Sequence, residues 1–428
     1  MTTARAVVRK WRQGGTREVA QRVVRRLYER TGAGALDFPL DVADVTSSIG
    51  LELPVPPPTG APGRALTVGW VCSAPAPGSG GHTTFFRMVQ AFVDAGHRCV
   101  LLLHDPHHGD LREQERVLRA AWPWLDAEVR AVPADAAGFS ALDAVVASSW
   151  DAAHVVAARA REPIHRFYFV QDYEPFFVAR GYEQSLAEDS YRFGFTHIAL
   201  GAMVAGRLTG EIGVASHEVP FSVDTEVYAL RNTGARSGVV FYAKPDVARR
   251  GYQLGAQALR ELHRLHPEQE IHVFGDATPD LGVPHTHHGR IPPAELDALY
   301  NRCLTGLALS FTNVSLVPDE MLASGCVPVV NDCADARACL DHPSVVWAPP
   351  APRALAAALS EVVRAADPAR QATSAAAREP SGGWADTGRR VVEVVTNQVD
   401  GSFTAHIDGG SAAAERPTTT GVGDRVSL

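Results

Sequence analysis

Lys244 directly follows the apolar run 239–243, and Arg249 and Arg250 come after a Pro-Asp turn, just ahead of Gly251 and a helical pattern. Cations flanking one loop at a strand's carboxyl end form a clamp suited to a diphosphate, since each can neutralise one phosphoryl group. Solvated surface charges are the bland alternative. The stretch SFTNVSLVPDEMLASGCVPVVND, residues 310–332, supplies a second candidate. Leu316, Val317, Met321 and Leu322 recur at helical spacing, Gly325 stands where a helix C-cap belongs, and 327–330 is a short apolar run suited to a central parallel strand. A helix therefore starts just after Asn313, Val314 and Ser315, and its free backbone N–H groups and positive dipole end face whatever the loop holds. Glu320, one turn further in, is positioned to accept hydrogen bonds from sugar hydroxyls, or else is a solvated residue of an ordinary amphipathic helix.

Two further stretches stand at predicted strand ends. PAPGSGG, residues 75–81, is a glycine-rich turn ahead of a helix over about 83–95. Gly80 and Gly81 let backbone approach a ligand closely at that helix N-terminus, although tight packing also explains such glycines. His82 lies beside this turn and reads as a packing or capping residue close to the candidate ligand. FVQDYEP, residues 169–175, closes another strand and sets Asp172 at the carboxyl edge of the sheet, where open α/β sheets bind ligands. His285, His287 and His288 invite a zinc reading, but no Cys or carboxylate spacing accompanies them, so no metal site is expected.

The elements that must hold these residues alternate between short apolar strands and helical periodicity, the pattern of a parallel α/β sheet. Strands are predicted at 67–73, 99–104, 144–148, 167–170 and 197–200, and a second series at 239–243, 271–274, 306–309, 327–330 and 345–347. Two such series joined near 223–228 predict two Rossmann-like domains facing a cleft, at 66–223 and 224–380. A last helix over 381–397 can cross back onto the first domain, and 398–428, rich in Gly, Ser, Thr and Ala, reads as a disordered tail. Residues 1–65 read as a basic helical extension followed by a Pro-rich extended linker.

Composition sets the frame. A chain of 428 residues is too long for one compact core. With 46% hydrophobic and 21% charged residues it is globular, and a net charge of -8 argues against a general nucleic-acid binder. No apolar run reaches the length of a transmembrane helix and no hydrophobic signal core opens the chain, so a cytoplasmic protein is expected. The six cysteines show no CxxC pairing and read as free thiols. Residues 1–30 carry a local excess of arginine with an apolar face, fit either to lie on an anionic membrane or to pack on the protein itself.

FYAKPDVARRGYQLG, HVFGD and HHGRIPPAELDALYNRCLTGLALSFTNVSLVPDEMLASGCVPVVND resemble the C-terminal domain of GT-B glycosyltransferases of the family 4 type. GSGGHTTFFRMVQAF and YFVQDYEPFF are similar to a narrower group, the bacterial rhamnosyltransferases that build rhamnan chains of cell-surface glycans. The resemblance covers roughly 67–395 and implies a GT-B fold and metal-independent, retaining transfer of a sugar, L-rhamnose from dTDP-rhamnose in the narrow group, to a glycan or lipid-linked glycan acceptor. In such enzymes the basic pair matching Lys244 and Arg250 grips the donor diphosphate, with Arg249 beside it, and the glutamate matching Glu320 binds the ribose. The loop matching Asn313, Val314, Ser315 and Leu316 offers amides to the phosphates and hexose. The turn matching Gly80 and Gly81 covers the diphosphate from the other domain, and Asp172 matches a polar residue near the donor sugar or acceptor hydroxyl. The wider family carries a second glutamate where this chain has Thr312, which argues against a common gluco-configured donor. A UDP- or GDP-hexose transferase, or a non-catalytic glycan-assembly relative, is the alternative.

Overall fold

A computed structural model describes residues 37–402, except 108, 279, 315 and 378–382, together with residues 20, 23–28, 30 and 31. Most of the basic segment 1–30, Ser315 and the tail beyond 402 thus lie outside the described residues.

The first domain is a seven-stranded sheet made of β1 (Thr67–Ser73), β2 (Arg98–His104), β3 (Glu128–Ala131), β4 (Ala144–Ala147), β5 (His165–Val170), β6 (Thr196–Leu200) and β7 (Ser216–Val219). Its spatial order is β3-β2-β1-β4-β5-β6-β7, with every pairing parallel. The second is a six-stranded sheet of β8 (Val239–Ala243), β9 (Ile271–Gly275), β10 (Thr286–His287), β11 (Thr305–Leu307), β12 (Val327–Asn331) and β13 (Val346–Ala348), in the order β10-β9-β8-β11-β12-β13 and again parallel. Both sheets therefore reverse direction of growth once, between β1 and β4 and between β8 and β11. Ligands of open α/β sheets bind outside the strand carboxyl ends at such reversals.

The central strands are apolar throughout because helices cover both faces of a parallel sheet. Trp70, Phe85, Phe86 and Phe92 fill one side of the first sheet, and Tyr168, Tyr191 and Phe139 the other. The strands that the sequence did not reveal are β3, β7 and β10, all edges or next to edges, with the polar sequences EVRA, SHEV and TH. An edge strand can face water, so it needs no apolar run.

Two expected boundaries shift. The helix after β1, α1, spans Gly80–Asp94, so Gly80 and Gly81 form its first turn rather than a loop before it. Its N-cap is Ser79, whose hydroxyl accepts the His82 N–H at 3.3 Å. The returning helix runs Gly383–Asp400, longer than its sequence reading, because Val391, Val395 and Val399 continue the apolar stripe into the core of the first sheet. Gly388 sits where it crosses α1: a β-carbon there would lie 2.6 Å from that of Ala91. The segment before β1 is extended but held down. Asp44 is buried against Arg159, with Nε 2.7 Å from one carboxylate oxygen, and the Pro54 carbonyl accepts from Arg166 at 2.9 Å. All six cysteines are free.

Candidate functional site

The carboxyl ends of the two sheets face each other across a cavity of about 720 Å³. From the first domain it is lined by the turn after β1 with α1, by Ser148–Asp151 after β4 and by Gln171, Asp172 and Glu174 after β5. From the second it is lined by Lys244, Arg249, Arg250, Arg290, Asn313, Val314, Leu316 and Glu320, so the eleven described sequence candidates meet one space: Gly80, Gly81, His82 and Asp172 oppose Lys244, Arg249, Arg250, Asn313, Val314, Leu316 and Glu320.

Lys244 leaves β8 with its ammonium 3.0 Å from Asp276 Oδ2, and Arg290 binds the other oxygen of the same carboxylate at 2.7 Å. Burial works against the Asp276 charge, but the Lys244 and Arg290 ion pairs hold its pKa below the usual carboxylate value. Arg290 also reaches across the cleft, donating to the Pro77 carbonyl at 3.3 Å. Arg249 and Arg250 sit in the one-turn helix Ala248–Arg250, closed by Gly251 at φ 60°. Arg250 Nη1 donates to Ser310 Oγ at 2.9 Å and to the Asn313 carbonyl at 3.2 Å, bracing the loop after β11. Arg249 lies over the Phe177 ring of the first domain, 3.9 Å from its centre, and burial, then its neighbour Arg250, lowers its pKa.

The glycines of α1 are not there for packing. A β-carbon on Gly80 would meet nothing within 4 Å, and one on Gly81 would meet only Gln171 Oε1 at 4.0 Å. His82 is fixed: its Nδ1 lies 2.8 Å from Ser79 Oγ and its Nε2 3.3 Å from the Ser73 carbonyl, while burial lowers its pKa.

Asp172 differs from its sequence reading. Rather than standing free for a sugar, it binds the opposite domain: Oδ2 accepts from Thr312 Oγ1 at 2.8 Å, and Oδ1 accepts the Asn313 N–H at 3.0 Å and its neighbour Tyr173 N–H at 2.8 Å. Burial raises its pKa, with the Asn313 bond, Arg250 and Thr312 opposing. Asn313 is likewise engaged, its Nδ2 donating to the Gln171 carbonyl at 2.8 Å. The Asn313 amide expected to meet a phosphate is therefore committed to Asp172. Val314 turns its side chain into the second-domain core and lines the cavity only in part, whereas Leu316 opens the helix Leu316–Ala323 at the wall. Thr312 is fully buried at this latch. Thr312→Val leaves one Asp172 oxygen without its partner and is expected to cost about 1–3 kcal/mol, read as a lower melting temperature of the ligand-free protein.

Glu320 projects into the cavity and shares a hydrogen bond with the Tyr228 hydroxyl. Burial pushes its pKa up to about 8, the Tyr228 bond pulling the other way. The carboxyl is thus largely protonated at neutral pH in the empty cleft. A hydroxyl donor that binds the ionised form must draw off that proton. The sequence reading missed Asp276, Arg290, Tyr228, Asp151 and the role of Thr312. Asp276 was reachable, since HVFGD also stands at a predicted strand end, whereas Arg290 follows β10, a strand the sequence did not reveal. Among the described residues no group of three or more His, Cys, Asp or Glu side chains is placed to hold a metal ion; His285 Nδ1 and His287 Nε2 meet backbone carbonyls, at 2.9 and 3.1 Å, and His288 meets His272 at 3.2 Å.

Residues 237–360 match the family model of the WsaF C-terminal domain. The O-antigen biosynthesis protein RfbC of Myxococcus xanthus is 32% identical over 352 residues, which is 79% of this chain but 27% of that protein, so the chain spans about a quarter of the relative. Among solved structures, HepE of Anabaena in complex with UDP and glucose superposes with a TM-score of 0.58 at 14% identity, over 78% of this chain and all (100%) of that one. A glycosyltransferase from Rickettsia africae follows at TM-score 0.57 and 11% identity, over 78% and 99% of the two chains. The two parallel sheets, their facing switch points and the returning helix make this chain a GT-B fold whose second domain is similar to the WsaF C-terminal domain.

Proposed function

We propose that the chain is a glycosyltransferase that moves a sugar from a nucleoside-diphosphate donor to a glycan acceptor. The observation that carries this is the pairing of an unfilled glycine surface, Gly80 and Gly81 at the start of α1, with Lys244, Arg249 and Arg250 on the facing wall. Helix N–H groups on one side and cations on the other suit a diphosphate between them. Breaking the bond from the anomeric carbon to that diphosphate develops negative charge on the leaving oxygen, which Lys244 and Arg250 would absorb. Asp276, paired with Lys244 and Arg290, offsets only part of the positive charge of this wall. The similarity to RfbC favours a surface-glycan acceptor.

The donor we favour is dTDP-rhamnose, with retention of configuration and no metal, as the resemblance of the first-domain motifs implies. A UDP-hexose is the second reading, and HepE in complex with UDP and glucose speaks for it. The test is a thermal-shift screen without added metal against dTDP-rhamnose, dTDP-glucose, UDP-glucose, UDP-N-acetylglucosamine and GDP-mannose. A ligand that binds only the folded state raises the melting temperature. Selective stabilisation by dTDP-rhamnose supports the first reading and by UDP-glucose the second, while no shift with any donor counts against the transferase.

Glu320 gives this reading a pH signature. Its pKa of about 8 lies above the ordinary 4.5, so a proton leaves as the ribose hydroxyls bind the carboxylate. Donor affinity is therefore expected to rise with pH up to about 8 and level off above it, by up to about tenfold per pH unit below. The same shift makes the empty protein lose stability as pH climbs from the unfolded value towards the folded one, because the folded state holds the extra proton. Glu320→Gln should weaken donor binding and flatten its pH profile, as measured by calorimetry across pH 6–9, a window of about 3 units around that pKa.

A further inference from the structure

Every lysine and arginine among the described residues lining the cavity belongs to the second domain. The first-domain wall offers carboxyl, hydroxyl and amide groups instead. Glu174 and Asp172 there are both engaged. Glu174 accepts the Trp150 N–H at 2.6 Å and meets the Tyr168 hydroxyl, while Asp172 forms the latch to Thr312 and Asn313. Asp151 is different: it is only 8% exposed, one oxygen accepts from Ser149 Oγ at 2.5 Å, and no described group bonds the other. Ser149 holds the N-cap position of the helix Trp150–Arg159 yet makes no capping bond, its hydroxyl being turned to Asp151 instead. A cap of this kind normally stabilises the start of a helix. Its diversion fixes the carboxyl group at the mouth of the β1/β4 switch point. Gln171, after the neighbouring strand β5, lines the same cavity with a side-chain amide that has no partner among the described residues, and Ser148 reaches no closer than 3.5 Å to another hydroxyl.

We infer that Asp151, oriented by Ser149 and sharing its cavity wall with Gln171, binds the attacking hydroxyl of the acceptor, and that the acceptor end is a neutral, hydroxyl-rich sugar rather than a sugar phosphate. This rests on the transferase reading above. A buried carboxyl oxygen, a hydroxyl and an amide are the groups that recognise sugar hydroxyls, and a phosphate placed against Asp151 would find no cation on that wall to neutralise it. The cations that could do so are those that face the donor.

The test uses the full chain with whichever nucleotide sugar stabilises it, and offers octyl α-L-rhamnoside, octyl β-D-glucoside and glucose 1-phosphate as acceptors. Transfer is expected to an octyl glycoside and not to the sugar phosphate. Asp151→Asn should raise the KM for that glycoside about tenfold or more, while the donor Kd stays within about twofold and the melting temperature is kept. Ser149→Ala should move the same KM in the same direction by less. An unchanged acceptor KM in Asp151→Asn, transfer to glucose 1-phosphate alone, or nucleotide release with no transfer to either glycoside overturns the inference and leaves the transferase reading standing. Absence of nucleotide release with every donor overturns the transferase reading itself.

Discussion

Arg250→Ala is expected to lower kcat for the proposed sugar transfer by about a hundred- to a thousandfold, the range seen when a donor aimed at developing charge is removed. Two effects combine in that loss. The guanidinium no longer neutralises the leaving diphosphate, and its two bonds to Ser310 Oγ and the Asn313 carbonyl vanish, so the loop that carries the Asp172 latch slackens. Arg250→Lys separates the two. A lysine ammonium restores charge, but its shorter side chain ends short of the Nη1 position from which both acceptors are reached, so part of kcat returns while the loop stays loose. Steady-state nucleotide release measures both variants, and a kcat within a few-fold of wild type for Arg250→Ala would remove Arg250 from the charge-stabilising role.

The second large effect is on stability. Gly275 ends β9 at φ 114°, paired with Ala243 of β8, and a β-carbon there would lie 2.4 Å from the Ala243 carbonyl oxygen. That same oxygen accepts the Asp276 N–H at 3.0 Å. Gly275→Ala therefore forces a strained backbone and pushes apart the two strands that present Lys244 and Asp276. Strain and steric overlap together are expected to cost about 3 kcal/mol or more, or roughly 6 °C or more in melting temperature. Donor binding should fall with it, because the Lys244 to Asp276 geometry is set by that strand pair. Thermal denaturation reads the first effect. Calorimetry with the stabilising donor, run well below the melting temperature, reads the second.

Much of this arrangement was legible because the buried strands of a parallel sheet are apolar, as in TVGWVCS, RCVLLLH and VVFYA, and the residues after them stand at the edge where such sheets bind ligands. That rule located Lys244, Arg249, Arg250, Gly80 and Gly81. It failed where chemistry depends on partners distant in sequence. Nothing in the string says that Asp172 meets Thr312, 140 positions away, or that the departure from the family glutamate at Thr312 fits a carboxyl supplied by the other domain. Asp151 was missed for a local reason, since Ser-Ser-Trp-Asp before an alanine-rich helix reads as an ordinary cap and first turn. The glycine turn was misplaced by three residues because glycine is a poor helix former, whereas here Ser79 caps the helix and the cleft leaves both positions open.

Gly383–Asp400 ties the end of the second domain to the core of the first, so the chain passes between domains twice. At those two passages Ser222 Oγ lies 3.0 Å from Thr387 Oγ1, and Phe221 packs edge-on against Trp384. Two tethers bound together at one place act as a hinge pin. They allow the domains to swing about the line through them, yet forbid twisting or sliding apart. Other contacts between the domains, Asp172 with Thr312, Arg207 with Asp335 and Arg290 with the Pro77 carbonyl, are then ones a swing must break. A swing that parts the domains therefore exchanges these bonds for bonds to water or ligand, while the pivot keeps the two halves in register for re-closure.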